Sequence, residues 1–324
     1  MDRKQVVADL YYKLGDIADG PVEAREYYTQ ALVRRQEWRE AHPELADPIA
    51  RVADCYHDLA KASFHSRDLK AARSYFEQCL ALREEFLRRQ PQSVNGKLIL
   101  AFEHERLGDL QLREGRPEQG KDSLLNALAR YDELVKADPK NEENKKHLAR
   151  ATYLLGTAHL RLHNTKLAEE NYAKALQMRR ELAEKDSANF PKQKDYMVNL
   201  ARCGFREAAV KMAEEIHKKS PKDVDTLLNI MRCYALCSAA AGAQDKKTIP
   251  TAEQAKSRNA DVASAASFLD QAVANGCRDL VDVETDPDID AIRNHPAFQH
   301  ALEKLRESVE PVVTGTTPSA LSPR

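Results

Sequence analysis

Glycine and proline are sparse in this chain, 11 and 14 of 324 residues, and aromatic residues make up only 6%. β-branched runs are scarce as well, which leaves little material for pleated sheet. No stretch approaches 18 uncharged apolar residues, so no transmembrane helix is expected. Residues Met1 to Leu10 alternate charged and apolar positions and lack the apolar segment of a secretory signal, which makes a cytoplasmic, soluble protein the default expectation. Neither sign of charge dominates: 50 basic residues face 51 acidic ones, a formal net charge of -1. That balance gives no global electrostatic reason to expect nucleic acid or an anionic membrane surface as partner. The six cysteines, Cys55, Cys79, Cys203, Cys233, Cys237 and Cys277, lack the clustering of a disulfide framework. Cys233 and Cys237 are spaced to share a helix face, yet two thiols do not complete a zinc site, and small buried residues account for them.

What remains is rich in Ala, Leu, Glu, Lys and Arg, a composition suited to long solvated helices. Within it lies a repeat. Ala24, Ala72, Gly120 and Ala168 are successive 48-residue steps, each followed four residues later by Tyr28, Phe76, Leu124 or Tyr172. Ala31, Cys79, Ala127 and Ala175 keep the same register, as do Leu32, Leu80, Leu128 and Leu176, then Glu37, Glu85, Glu133 and Glu181, and then Trp38, Phe86, Leu134 and Leu182. Pro43, Pro91 and Pro139 close three units, with Ser187 in the fourth. Steps of four and three place these residues on one helical stripe. Small residues on it allow close approach of a neighbouring helix, and the proline helps end the helix. The first half of each unit carries Leu14-Gly15, Leu59-Ala60, Leu107-Gly108 or Leu155-Gly156, preceded by Tyr11, Tyr56, His104 or Thr152. Between the halves stand the breakers Asp19-Gly20-Pro21, His65 to Asp68, Gly115-Arg116-Pro117 and His163-Asn164-Thr165.

The order aromatic-x-x-Leu-Gly, then Ala-x-x-x-aromatic-x-x-Ala, then Pro resembles the tetratricopeptide repeat. The resemblance covers about residues 5 to 190, with a weaker fifth unit near Leu200 to Pro221 in which Ala209, Ala213, Ile216 and Pro221 keep the spacing. The units exceed the common length of that family, and the extra residues fall in a longer second helix of about 20 residues, about 30 Å, and the connection after it. The resemblance implies an all-α, right-handed α-solenoid of antiparallel helix pairs with an irregular helical C-terminal cap. The expected organisation is four long repeats over 1–190, a degenerate repeat and following helix over 191–241, an exposed loop over 242–261, a helical cap over 262–310 and a disordered tail over 311–324. In the cap, Asn275-Gly276-x-Arg278-Asp279, then Asp286-Pro287-Asp288-x-Asp290-x-x-Arg293 and Pro296-x-Phe298, resembles the end of repeat arrays of bacterial proteins, several of them behind a serine/threonine kinase domain.

Near-misses of chemical motifs dissolve on inspection. Gly115 to Lys121 approaches a phosphate-binding loop, but Asp122 stands where Ser or Thr must hold magnesium and no strand precedes it. Asp286, Asp288 and Asp290 alternate like a calcium loop, but Ala291 replaces the turn glycine and Ala297 the closing Glu. His159 and His163 lack a completing ligand, and no hydrolase elbow or kinase triplet occurs. Arg34-Arg35, Arg88-Arg89 and Arg179-Arg180 read as dipole-complementing residues on solvated faces near helix ends. No catalytic residue, cofactor or metal is therefore expected, and the chain is expected not to be an enzyme; a site hidden among Cys233, Cys237, Asp286 and Asp290 within 224–298 is the remote exception.

In the resembled family, the first helix of each pair lines a concave groove. By register the groove-facing residues are Tyr12 and Asp16; His57, Lys61 and His65, with Phe64 beside them; Glu105, Asp109 and Arg113; and Tyr153, Thr157 and Arg161. The asparagine positions of the family's carboxylate clamp hold Asp16, Lys61, Asp109 and Thr157, so the resemblance does not extend to that clamp. The function expected is a protein–protein interaction scaffold for a peptide or helix of mixed charge, with a docking role in a bacterial serine/threonine kinase pathway as the alternative. Oligomeric state is left open.

Overall fold

The computed structural model describes residues 3–242 and 251–309, and all regular structure within them is helical. Helix pairs follow one another: α1 (Arg3–Asp16) with α2 (Pro21–Ala41), α3 (Asp47–His65) with α4 (Leu69–Arg89), α5 (Val94–Arg113) with α6 (Pro117–Ala137), α7 (Glu142–Arg161) with α8 (Thr165–Lys185), and α9 (Phe190–Arg202) with α10 (Arg206–Lys219). A further pair, α11 (Val224–Gly242) and α12 (Ala252–Ala274), leads to α13 (Leu280–Thr285), a 3-10 turn at Pro287–Ile289 and α14 (Pro296–Val309). The chain is an all-helical solenoid of stacked pairs with an irregular C-terminal end. No helix among the described residues is long and apolar enough to cross a membrane.

Local chemistry sets these boundaries. Asp68, Ser93, Asn141 and Asn189 cap helix starts by accepting a backbone N–H three residues on, which satisfies a donor that has no intrahelical partner. Proline opens α2 and α6, where its missing N–H costs nothing. The turns inside the α3–α4, α5–α6 and α7–α8 pairs each use one left-handed residue, and Arg67, Gly115 and His163 supply it at φ of 65°, 73° and 61° in the same repeat register. Glycine takes that conformation freely, whereas Arg67 and His163 hold it against their Cβ atoms.

The Leu-Gly pairs have a steric explanation. A Cβ on Gly108 would lie 2.7 Å from Leu124 Cγ, and one on Gly156 would lie 2.8 Å from the Tyr172 ring. The small residue of the first helix therefore seats the large residue of the second. Gly120 of the near-miss phosphate loop is packed in the same way, since its Cβ would meet the Gly108 carbonyl oxygen at 3.1 Å.

The span expected as a loop over 242–261 is corrected in part. α12 begins at Ala252, with a capping box in which Thr251 and Gln254 satisfy each other's backbone N–H. Its residue Asp261 is buried and bonded twice by Arg206, at 2.6 and 2.9 Å. Polar composition was misread there as loop: residues 251–260 are mostly exposed but helical from Ala252, and Asp261 turns inward onto Arg206. Residues 243–250 and the tail expected over 311–324 lie outside the described residues.

One buried histidine makes stability depend on pH. His104 holds the position that is Tyr11, Tyr56 or Thr152 in the other units, and its Nε2 has no hydrogen-bond partner among the described residues. Burial first, then the charge of Arg130, lowers its pKa from 6.5 to about 4, against the pull of Glu103. The unfolded chain takes up this proton first, so the contribution is full above pH 6.5 and is lost as pH falls toward 4. Urea midpoints across that window should decline in the wild type and decline less in His104→Leu; an unchanged slope in the variant would place the titration elsewhere.

Candidate functional site

The inner helices α1, α3, α5, α7, α9 and α11 carry the residues expected to face a groove, and the structure divides them into groups. The first group stitches one repeat to the next. Tyr12 donates its hydroxyl to Asp58 while Arg35 lies 4.1 Å over its ring. His57 Nδ1 lies 2.9 Å from Glu103. Glu105 is 0% exposed and accepts from Arg150 at 2.6 Å and from the Tyr131 hydroxyl at 3.0 Å, with His147 at 3.5 Å. Burial works to raise its pKa, but Arg150 and His147 outweigh it and hold the carboxyl below 4.5. Asp109 is buried between Arg113 and Arg150. Thr157 is also buried and accepts from Tyr172.

A second group is covered by the chain's own C-terminal segment. From Asp279 to Asp290 an acidic strap (α13 and the 3-10 turn) runs along the concave side of the inner helices. Arg67 bonds Glu284 at 2.9 Å, and Arg113 bonds the Asp282 carbonyl and the Thr285 hydroxyl at 3.2 and 3.1 Å. Tyr153, only 5% exposed, donates to Asp288 at 2.8 Å, and Arg161 reaches Asp290 at 2.6 Å. Arg202 and Arg232 pair with Asp288 and Asp286. The expectation of an open groove along all four repeats is therefore corrected: Glu105, Asp109, Tyr153 and Thr157 are interior, and Arg113 and Arg161 are engaged by the strap. Only Asp16, Lys61 and His65 of the set are exposed, while Phe64 is half-buried under Arg113 at 5.5 Å.

Magnitude decides whether this strap is a lid or a wall. Leu280, Val281, Val283 and Ile289 are buried, and most of them join the apolar core of α11, α12 and α14. At 1.5–3 kcal/mol for each buried aliphatic, roughly 6–12 kcal/mol holds the segment down before any ion pair is counted. The strap is a fixed wall.

Between wall and inner helices lies a cavity of about 400 Å³. Phe64, Phe76, Leu110, Leu154 and Val198 supply apolar surface, and charged side chains from α3, α5, α7, α8, α9, α11 and the strap supply the rest. Burial works to raise the Asp286 carboxyl, yet Arg232 and Arg113 hold it below 3.8.

Sequence reasoning missed one set. Arg35, Arg83, Tyr131 and Arg179 lie 48 residues apart, and all four are buried. Arg35 bonds Asp9 at 3.1 Å and Arg83 bonds Asp54 at 2.6 Å. The expectation that Arg35 and Arg179 solvate a face is thus overturned, because both turn inward onto the next repeat. Their shared register was the available signal.

The possible metal ligands are dispersed. Cys233 is buried beside Cys237, and its hydrogen bond to that thiol, followed by burial, raises its pKa well above 9.0. His163 sits in the α7–α8 turn. Asp286 and Asp288 are occupied by arginines. Among the described residues, His65, Asp279 and Asp282 place ligand atoms within 4.8 Å of one another at the strap's start.

Tetratricopeptide repeat family models match residues 52–87 and 149–182. No curated protein matches the chain. Among solved structures, a Rap protein complexed with competence and sporulation factor is 17% identical, covering 95% of this chain and 78% of that one, with a TM-score of 0.47. A tetratricopeptide repeat protein from Parabacteroides merdae is 15% identical, covering 94% and 98%, with a TM-score of 0.39. YrrB, a tetratricopeptide protein with an unusual peptide-binding site, is 15% identical, covering 83% and 97%, with a TM-score of 0.32. The matched stretches are α3–α4 and α7–α8, and α1–α2 and α5–α6 share their register. The chain thus carries tetratricopeptide repeats at residues 52–87 and 149–182.

Proposed function

We propose that the chain is a non-enzymatic interaction scaffold that receives a peptide or helix of another protein at the N-terminal end of its concave side. One observation carries this reading. Where the strap begins, an open pocket of about 530 Å³ separates α2 and α3 from Arg278 to Val281. It joins apolar surface from Pro21, Tyr28 and Val281 to charges of both signs on Asp58, Lys61, Arg67 and Asp279. Such a surface suits a segment with a few apolar anchors and charges of both signs, held by charge-assisted bonds. Asp16, Lys61 and His65 lie at or beside it with exposed side chains, so they can be replaced without opening the core.

A photo-crosslinking residue placed at His65 should capture a protein in the native cell that the same residue at Lys166, on α8, does not. Capture of the same proteins from both positions would overturn the assignment. A narrower version makes the chain a docking module of a serine/threonine kinase pathway, supported by the sequence resemblance of its C-terminal end. Recovery of a kinase or its direct substrate in the His65 adduct distinguishes that version.

A further inference from the structure

We propose that the 400 Å³ cavity between the inner helices and the strap binds a small organic anion, a carboxylate or phosphate attached to an apolar body, with Arg106 and Arg179 as the residues that hold its charge. The inference does not rest on the partner-binding reading: the cavity behind the strap shares Lys61 and His65 with the open pocket at its start, but its proposed anion ligands, Arg106 and Arg179, line only the cavity.

The case rests on which cations of the cavity are already neutralised. Arg113 pairs with Asp109 and Asp282, Arg150 with Glu105 and Asp109, and Arg232 with Asp286. Arg106 differs: among the described residues it has no ion pair or hydrogen bond, only the face of Phe102 at 4.8 Å. Its pKa is lowered, by burial first and by the neighbouring Arg150 next, against the weaker pull of Asp109, Glu105 and Glu103, none of which bonds it directly. Arg179 differs from its own register mates. Arg35 and Arg83 each meet a carboxylate, while among the described residues Arg179 meets only the backbone oxygen of Asp195 at 3.2 Å and the Tyr153 ring at 4.5 Å. It is 7% exposed and lines the same cavity.

Partly buried guanidinium groups without an anion are costly, and a ligand oxyanion reaching both would relieve that cost through charge-assisted, bidentate bonds. The strap cannot supply the charge, since its aspartates are committed to other arginines and its aliphatic anchors fix its position. The volume falls in the range of small-molecule sites, which combine a mostly apolar lining with a few converging polar groups. Here most of the lining is charged or polar, and Phe64, Phe76 and Leu110 form an apolar patch beside the cations, so an anion with an apolar body fits better than a bare ion.

The test is calorimetric titration of the purified full chain with phenyl phosphate, benzoate and inorganic phosphate at matched ionic strength. Phenyl phosphate or benzoate should bind saturably, and the one that does identifies the head group. Either should bind at least tenfold more tightly than inorganic phosphate. Arg106→Gln should weaken that binding at least tenfold, while Lys166→Gln on α8 leaves it unchanged. Without ligand, Arg106→Gln should unfold at the same temperature as the wild type or a higher one, because it removes an uncompensated charge. Absence of saturable binding to both organic anions, or equal affinity in wild type and Arg106→Gln, overturns the proposal. Failure here leaves the His65 crosslinking result unaffected, so the two readings fail separately.

Discussion

Replacing Asp286 by Ala should destabilise the chain by about 3–5 kcal/mol, the cost of stranding a buried charge by removing its partner. Asp286 is buried, and the Arg232 guanidinium that it accepts from lies within the concave side with only 18% of its side chain exposed. The same carboxylate caps the 3-10 turn by accepting the Asp288 N–H at 2.8 Å, so the alanine removes a local cap as well. Urea unfolding followed by helical circular dichroism measures the loss. The double variant Arg232→Met/Asp286→Ala should recover much of it, because the stranded charge is then gone too. A wild-type midpoint for Asp286→Ala would mean that the strap is not pinned where the structure places it. Acid should weaken the same contact. Since the folded pKa lies below the ordinary 3.8, this stabilisation is complete above that value and is lost as pH falls through the lowered one.

Glu105→Ala should cost a similar roughly 3–5 kcal/mol, and this result separates two readings of one residue. By register, Glu105 belongs to a partner-facing groove, where its removal would weaken binding and leave stability alone. In the structure it is wholly enclosed, joining Arg150 of α7 to Tyr131 of α6. Removal takes away the closer of the two carboxylates that Arg150 pairs with, leaving it Asp109, which Arg113 shares, and leaves the buried Tyr131 hydroxyl without its acceptor. A large fall in the urea midpoint supports the interior assignment; an unchanged midpoint would return Glu105 to the surface. Glu105→Gln should fall between the two, since the amide oxygen still accepts while the charge is gone.

The contrast between Glu105 and Gly108 shows why one was misplaced and the other was not. Gly108 is bound by a local rule, one small residue seating one large residue in the next helix, and the rule repeats every 48 residues, as Gly156 with Tyr172 confirms. Glu105 obeys no such rule, because its partners differ from those at the same register in other units. A charged residue on an inner helix looks the same in sequence whether it meets solvent, the next repeat or a distant strap. The buried arginines were misread for a related reason: adjacent pairs such as Arg34-Arg35 drew the eye to surface charge, while the single-residue register Arg35, Arg83 and Arg179 held the information.

The amino-acid sequence was sufficient for everything that recurs. Periodic small and large residues, caps and breakers are short-range signals within a helix pair, and they specify the pairs, their boundaries and their stacking. The tertiary structure alone decided what closes the concave side. Contacts from Arg113 to Asp282, Tyr153 to Asp288 and Arg161 to Asp290 join residues 129 to 169 positions apart. No periodicity encodes such distances, because the returning segment belongs to no repeat. In sequence its aspartates were only a near-miss of a calcium loop; folding brings them against the arginines, and among the described residues Arg106 and Arg179 are the arginines of the cavity left without an ion pair.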